Sequence, residues 1–325
     1  MDSKEYVVGI DIGGTTTSVG FVDRQGSLLA EMVLDTWGAQ PAALLVNRVC
    51  DAITRLETSL SRGCRLRAIG IGAPNANYHR GTVENPVNLN WGPSTNLVQL
   101  FQEHFTVPLA ITNDANAAAL GELLFGGARG MKDVIVITLG TGLGSGIIVN
   151  GGLVYGADGF AGELGHTVVD PAGRFCACGN RGCLETYVSA TGLCRTVSEL
   201  LAERCEPSPL RDICFSQLTS RQVSEAASRG DGIALAAFDK TARILGMKLA
   251  DAVAHTRPEA IFLAGGLAAA GELLREPATR YMNEFLFGPY KGKVKLLLSA
   301  VTEGNGAVRG AAALAWQELA VTTRS

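Results

Sequence analysis

The sequence predicts an α/β protein with two domains of similar topology and a cleft between them. Two observations favour this fold class. A pattern of strand, glycine turn, strand, hairpin and strand occurs at residues 6–34 and again at 134–155. The chain has 325 residues, a length that suits two domains.

The first repeat predicts strands over 6–12, 18–23 and 27–34, with turns at Gly13-Gly14 and Gln25-Gly26. Because a strand follows the first glycine pair, the pattern differs from a dinucleotide-binding fold, in which a helix follows. A phosphate loop ending in Gly-Lys-Ser/Thr is also absent from the sequence.

The remaining elements follow from apolar spacing and turn residues. Further strands are predicted over 67–71, 109–112, 134–139, 145–149, 153–155 and 260–263, and helices over 41–60, 115–124, 233–255 and 307–319. Residues 203–231 are polar and predict a loop. The domains are predicted as 1–117 with the C-terminal helix 307–325, and 118–306.

The composition excludes several classes of protein. The net charge is −3, which argues against a nucleic-acid partner, and no apolar run is long enough for a membrane span. The N-terminus lacks the features of a signal peptide. Five of the eight cysteines are scattered rather than arranged as a disulfide framework, so we expect a cytoplasmic protein.

Two glycine turns predict an ATP site. The first contains Gly13, Gly14, Thr15 and Thr16, whose backbone N–H and hydroxyl groups can donate to phosphate oxygens. Asp11 beside an anionic ligand makes sense if it holds Mg²⁺. The alternative is a plain hairpin turn. The second turn, Gly140, Thr141 and Gly142, favours the nucleotide, and Gly265-Gly266 is a candidate contact for the adenosine.

A general base is predicted where a strand meets a helix, at Asn113 and Asp114. Phosphoryl transfer to a sugar needs a carboxylate to accept the hydroxyl proton and an amide to orient the sugar. Asp114 and Asn113 fit these two roles. The alternative is that either residue only caps the helix.

Further sugar contacts are predicted at Glu163, His166 and Glu185, because carboxylates and imidazole suit a ligand rich in hydroxyl groups. Asn88 is another candidate for a sugar contact. The alternative for Asn88 is an ordinary loop asparagine.

A metal site is predicted from His166, Cys176, Cys178 and Cys183. One histidine and three cysteines form a complete tetrahedral set for Zn²⁺, which leaves no open position and therefore indicates a structural metal. The alternative is a group of reduced thiols without metal. The ligands lie between Glu163 and Glu185, so zinc would organise both predicted sugar contacts.

These motifs together resemble the ROK family. The resemblance rests on the segments around Asp11, Asn113-Asp114 and Gly140–Gly142, and on the run from Glu163 to Glu185. It implies an actin-like, ribonuclease H-like ATPase fold, the site roles given above and a homodimer. One departure is Pro74-Asn75, where many members carry Pro-Gly.

The resemblance implies phosphorylation of a hexose at its 6-hydroxyl, with glucose as first choice. N-acetylmannosamine, N-acetylglucosamine, mannose or another hexose is the alternative within this class. A sugar-responsive ROK regulator without catalysis is the alternative from another class. Such regulators carry a DNA-binding domain before the first glycine turn, and the ten residues before Asp11 favour the enzyme.

Overall fold

A computed structural model describes residues 5–60, 63–86, 89–301 and 306–322. Its strands are β1 (Glu5–Ile12), β2 (Thr16–Val22), β3 (Leu28–Asp35), β4 (Arg65–Gly72), β5 (Ala76–Asn77), β6 (Thr82–Glu84), β7 (Ser94–Asn96), β8 (Leu109–Thr112), β9 (Val134–Leu139), β10 (Leu143–Val149), β11 (Gly152–Leu153), β12 (Ala260–Ala264) and β13 (Lys295–Leu298). Its α-helices are α1 (Ala42–Glu57), α2 (Leu97–Gln102), α3 (Asp114–Phe125), α4 (Ala190–Glu203), α5 (Ser220–Ser228), α6 (Gly232–Thr256), α7 (Glu272–Phe285) and α8 (Gly306–Thr322).

The chain forms two compact units. Unit 1 comprises residues 1–130, 153–161 and 300–325, and unit 2 comprises 131–152 and 162–299. The first segment of unit 1 thus ends at residue 130, whereas the sequence analysis places a domain boundary at residue 117. The boundary at 117 stays a prediction. Among the described residues, no helix has both the length and the hydropathy needed to cross a lipid bilayer.

The main sheet of unit 1 has the strand order β3-β2-β1-β4-β8. Strands β1 and β2 pair antiparallel through the first glycine turn, whereas β1, β4 and β8 are parallel. Asp11 on β1 is opposite Gly72 on β4, which is opposite Thr112 on β8. The carboxyl ends of three parallel strands therefore share one edge of the sheet.

Helix α8 packs against this sheet at two glycines. A side chain at Gly9 would clash with the backbone of Val308, and one at Gly70 would clash with that of Ala311. Gly310 of the helix in turn lies against Ala117 of α3. Glycine is needed at these contacts because backbones approach each other more closely than a Cβ atom allows.

The sheet of unit 2 has the order β11-β10-β9-β12-β13. It repeats the arrangement of unit 1, with β10 antiparallel to β9, and with β9, β12 and β13 parallel. The predicted duplication of topology is therefore confirmed. Helices α4 to α7 belong to this unit, and their buried residues form one hydrophobic core with the sheet.

The prediction of a loop over 203–231 was wrong in part. Residues Ser220–Ser228 form α5, whose start is stabilised by a reciprocal capping box between Thr219 and Gln222. Val223, Ala226 and Ala227 are buried on one side of this helix. Small alanines in a polar segment carry a weak apolar signal, which explains the error.

Candidate functional site

The first cluster of predicted site residues lies at the carboxyl edge of the sheet in unit 1. Asp11 is the next-to-last residue of β1, and Asn113 and Asp114 follow β8 directly. Gly13 to Thr16 form the turn between β1 and β2, with Thr15 and Thr16 exposed. The fold thus brings the predicted base to the same edge as the first glycine turn, which is predicted to bind phosphate.

A buried threonine supports the first glycine turn. The hydroxyl of Thr36 donates to the carbonyl of Gly13 at 2.8 Å and lies 2.9 Å from the hydroxyl of Thr17. Its backbone N–H donates to the carbonyl of Thr15 at 2.7 Å. The sequence analysis missed Thr36, because no local motif connects it to a loop twenty residues earlier.

Asn113 is the residue that caps α3. Its side-chain oxygen accepts a hydrogen bond from the N–H of Asn116 at 2.7 Å. The Asp114 carboxylate accepts a hydrogen bond from the adjacent N–H of Ala115, at 2.8 Å. The alternative in which Asp114 is the helix cap is therefore disfavoured, since Asn113 already fills that role.

Both carboxyl groups of this edge have raised pKa values. The Asp114 side chain keeps a solvent-accessible surface, but surrounding protein atoms desolvate it and raise its pKa. Burial raises the pKa of Asp11 to about 6, and the charge of Asp114 contributes to this rise. A carboxyl group with a raised pKa is a stronger base than an ordinary surface aspartate, which suits proton transfer near neutral pH.

The unusual Asn75 is explained by its backbone. It has a φ of 53°, a left-handed conformation that glycine or asparagine adopts more readily than other residues. Its side-chain amide donates to the carbonyl of Asn85 at 3.0 Å. Asparagine is thus compatible with the left-handed backbone conformation at this position. Asn88 lies outside the described residues, so its predicted role stays a prediction.

The second cluster lies in unit 2 and begins at the equivalent sheet edge. The loop Gly140–Gly142 follows β9, and Gly265-Gly266 follows the neighbouring parallel strand β12. Gly265 has a φ of 88°, and a Cβ there would lie 2.7 Å from the carbonyl oxygen of Leu139. Gly265 is thus required by the backbone. A Cβ at Gly140 or Gly266 would meet no atom within 4 Å, so both face open space.

The four predicted zinc ligands come together in unit 2. One ligand atom from each of His166, Cys176, Cys178 and Cys183 lies within 4.8 Å of the others. The Cys178 and Cys183 sulfurs are 3.6 Å apart, and His166 Nδ1 is 3.7 Å from the Cys176 sulfur. Sulfur ligands around tetrahedral zinc are about 3.8 Å apart for Zn–S bonds of about 2.3 Å. The arrangement therefore fits zinc.

Glu185 lies between this ligand group and the second glycine turn, Gly140–Gly142. One carboxylate oxygen lies 2.9 Å from the Cys176 sulfur, and the other would be 2.7 Å from a Cβ at Gly142. Glu163 precedes the single turn Leu164–His166, which contacts β10 because Gly165 lies against the backbone of Leu143. Predicted sugar, nucleotide and metal residues are therefore neighbours within unit 2.

Comparison with known proteins identifies the family. The sequence profile of the ROK family matches residues 7–318 of this chain. The chain belongs to the ROK family. The resemblance inferred from the motifs is thus confirmed along nearly the whole chain.

Known ROK proteins similar to this chain include enzymes and a regulator. A glucokinase of Halalkalibacterium halodurans is 36% identical over 287 residues, which is 87% of each chain. A ROK family glucokinase of Streptomyces griseus, solved with glucose and AMPPNP, is 34% identical with a TM-score of 0.78, over 96% of this chain and 99% of that one.

A ROK family transcriptional regulator, a homolog of the E. coli MLC protein, is 26% identical with a TM-score of 0.86. The match covers 98% of this chain and 79% of the regulator. The predicted actin-like α/β fold is confirmed by these structures.

Proposed function

We propose that this protein is an ATP-dependent kinase that phosphorylates glucose at its 6-hydroxyl. The observation that carries the proposal is the similarity, along almost the full chain, to a glucokinase that binds glucose and an ATP analogue. The accessible Asp114 carboxylate, which the helix cap does not use, supports the same reaction.

In the proposed reaction Asp114 is the general base. The 6-oxygen of the sugar attacks the γ-phosphorus of ATP, Asp114 accepts the proton of that hydroxyl, and ADP leaves with the electrons of the broken bond. Asn113 is proposed to orient the sugar through its amide nitrogen, since its side-chain oxygen already caps α3.

Phosphate binding is assigned to backbone N–H and hydroxyl groups. Gly13, Gly14, Thr15 and Thr16 in unit 1, and Gly140, Thr141 and Gly142 in unit 2, are the proposed donors. Gly266, which faces open space, is proposed to approach the adenosine with Gly265 beside it. Asp11 would hold Mg²⁺, which supplies positive charge to neutralise the phosphates.

Glu163, His166 and Glu185 are proposed to bind sugar hydroxyls. His166 directs Nδ1 to the cysteines, so its Nε2 is the ring nitrogen proposed for the sugar. Zinc held by His166, Cys176, Cys178 and Cys183 would fix this segment without an open position for chemistry.

The proposed setting is the cytoplasm, with a homodimer as the active form. None of the eight cysteines, all of which the structure describes, is in a disulfide, and the three proposed zinc ligands have to be reduced to bind the metal, which suits a reducing compartment. Light scattering on the purified protein would test the dimer, for which a single species of twice the chain mass is expected.

A coupled assay of ADP release over a panel of hexoses tests the proposal. Glucose should give the highest kcat/KM, with mannose, N-acetylglucosamine and N-acetylmannosamine as competing substrates. The matched control is Asp114→Asn, which should bind glucose but lose at least about a hundredfold in kcat. Near-normal turnover by this variant would show that Asp114 is not the base.

The alternative function is a sugar-responsive regulator, which the similarity to the MLC homolog favours. It predicts sugar binding without ADP release from any hexose. If the wild-type protein binds glucose in calorimetry but gives no ADP with the whole panel, this alternative replaces the kinase.

A further inference from the structure

We propose that Arg174 is a positioning residue for the kinase reaction. Its guanidinium holds the turn that carries Glu185 and the beginning of α4, which contacts the second phosphate loop. The inference rests on the proposed function, because it connects segments assigned above to sugar and to ATP.

The Arg174 side chain is only 10% exposed and is surrounded by acceptors. Nε and Nη2 donate to the two carboxylate oxygens of Glu199 at 2.8 and 2.6 Å. Nη1 donates to the carbonyls of Thr186 at 2.6 Å and Gly192 at 3.1 Å, and Nη2 also donates to the hydroxyl of Thr196 at 2.9 Å. A guanidinium has five N–H donors, and these five contacts use them all.

The acceptors belong to two segments of the candidate site. Thr186 ends the single turn Leu184–Thr186, whose middle residue is Glu185. Gly192, Thr196 and Glu199 lie on one face of α4 at helical spacing. Arg174 therefore fixes the position of the Glu185 backbone relative to this helix.

The first turn of α4 contacts the second phosphate loop directly. The N–H of Ala190 donates to the carbonyl of Gly140 at 2.9 Å, and the hydroxyl of Thr191 donates to the carbonyl of Thr141 at 3.0 Å. A displacement of α4 would therefore move the loop proposed to bind phosphate. Arg174 thus influences the proposed sugar and ATP contacts through two different routes.

The backbone of Arg174 also joins the zinc-ligand segment to Tyr187. Its carbonyl accepts from the N–H of Gly182 at 2.7 Å, and its N–H donates to the Tyr187 hydroxyl at 3.0 Å. The guanidinium lies over the Tyr187 ring, 4.4 Å from its centre. Gly173 has to be glycine here, because a Cβ would clash with the Tyr187 hydroxyl.

The surroundings of Arg174 offer little else that could hold α4 in place if its hydrogen bonds were lost. A cavity of about 520 Å³ adjoins Arg174, Tyr187 and Glu199, with Ile244 and Met247 on its wall. Lys240 is 3.7 Å from Glu199, but both side chains are over 40% exposed, so this ion pair contributes little. Lysine at 174 could not bind as arginine does, since an ammonium group lacks the planar, forked set of donors.

Arg174→Lys tests the proposal, with Arg221→Lys as the matched control. Arg221 also pairs with a glutamate in unit 2, Glu225 at 3.0 Å, but its side chain is 88% exposed. We expect Arg174→Lys to lose roughly 10- to 100-fold in kcat, because about 1 Å of misplacement has effects of that size. Its KM for glucose should rise as well, whereas Arg221→Lys should stay within about twofold of wild type.

Hydrogen exchange gives a readout that is independent of activity. In Arg174→Lys the Ala190 amide should exchange faster, because α4 is no longer held against Gly140, while amides of the β9 strand stay protected. Glu199→Gln, which keeps the carbonyl contacts of Arg174, should show a smaller change in the same direction and serves if Arg174→Lys does not fold.

Unchanged kinetics in both Arg174→Lys and Glu199→Gln would overturn the proposal. So would a loss of activity that equals the unfolded fraction, with unchanged exchange at Ala190. If wild type phosphorylates no hexose, the proposed function fails, but the exchange comparison still decides whether Arg174 positions α4.

Discussion

Asp11→Asn should stabilise the protein at neutral pH while it removes kinase activity. Burial raises the pKa of the Asp11 carboxyl from 3.8 to about 6. A raised carboxyl pKa means that the folded state holds the proton more tightly than the unfolded state does. The stability that this proton contributes is therefore fully present below pH 3.8, the ordinary pKa of the carboxyl. It is lost as the pH rises through about 6, the pKa in the folded state.

The size of the effect follows from the two pKa values. One pKa unit corresponds to about 1.4 kcal/mol, so a rise from 3.8 to about 6 lowers the free energy of unfolding, relative to acid pH, by roughly 1–2 kcal/mol at pH 5 and roughly 3 kcal/mol at pH 7. Asparagine carries no charge and avoids this cost. The free energy of unfolding of Asp11→Asn should therefore be higher than that of wild type, by at most these amounts. The difference between the two proteins should grow from pH 5 to pH 7.

Urea unfolding followed by tryptophan fluorescence measures this difference. All three tryptophans, Trp37, Trp91 and Trp316, lie in unit 1 together with Asp11, so the signal reports on the relevant unit. The experiment is done without nucleotide or magnesium, which would stabilise the ionised form in wild type. Asp35→Asn, at an exposed carboxylate that ends β3, is the control.

The reasoning is refuted if Asp11→Asn is no more stable than wild type at pH 7. It is also refuted if the difference between them does not grow between pH 5 and pH 7. Either result would mean that the surroundings of Asp11 do not penalise its charge. Activity in the variant would separately contradict the proposed Mg²⁺ role.

Two further changes test unit 2. Cys178→Ser should lose zinc and activity and bind glucose more weakly, because a structural metal contributes folding free energy and the ligand loop carries the proposed sugar contacts. Elemental analysis should find one zinc per wild-type chain, and active protein without zinc would contradict this. Gly142→Ala should push aside the Glu185 carboxylate, 2.7 Å from the new Cβ, and raise the KM for glucose roughly tenfold with little change in Tm. An unchanged KM would show that Glu185 does not bind sugar.

Much of the fold could be predicted from the sequence because glycine turns and apolar runs are local signals. The strands Leu109–Thr112 and Val134–Leu139 have the predicted bounds, and both glycine turns join antiparallel strands as expected. Helix α7 was not predicted, because Pro277 interrupts a pattern that would otherwise indicate a helix. Strand β13 was also missed.

The candidate site was predictable where chemistry is concentrated in a motif. The four predicted metal ligands are an example, because they lie in one short segment and the structure brings their ligand atoms within 4.8 Å of one another. Sequence reasoning left open which residue caps α3, and only the backbone geometry assigns this role to Asn113. Thr36 and Arg174 could not be found from the sequence, because each donates hydrogen bonds to backbone carbonyl groups. Every residue has such a carbonyl, so the sequence does not show which one is the acceptor.

The position of α8 in unit 1 has a consequence for biosynthesis. The ribosome makes residues 1–130 first and the helix Gly306–Thr322 only after all of unit 2. At roughly 5 to 20 residues per second, the sheet of unit 1 waits about 10 to 35 s for the helix that covers Gly9 and Gly70. During that interval Val7 and Ala68 lack their apolar partners Ala312 and Trp316. The nascent chain therefore exposes an apolar face of the sheet, to which other apolar surfaces can bind. Unit 2 can complete its folding before unit 1 does.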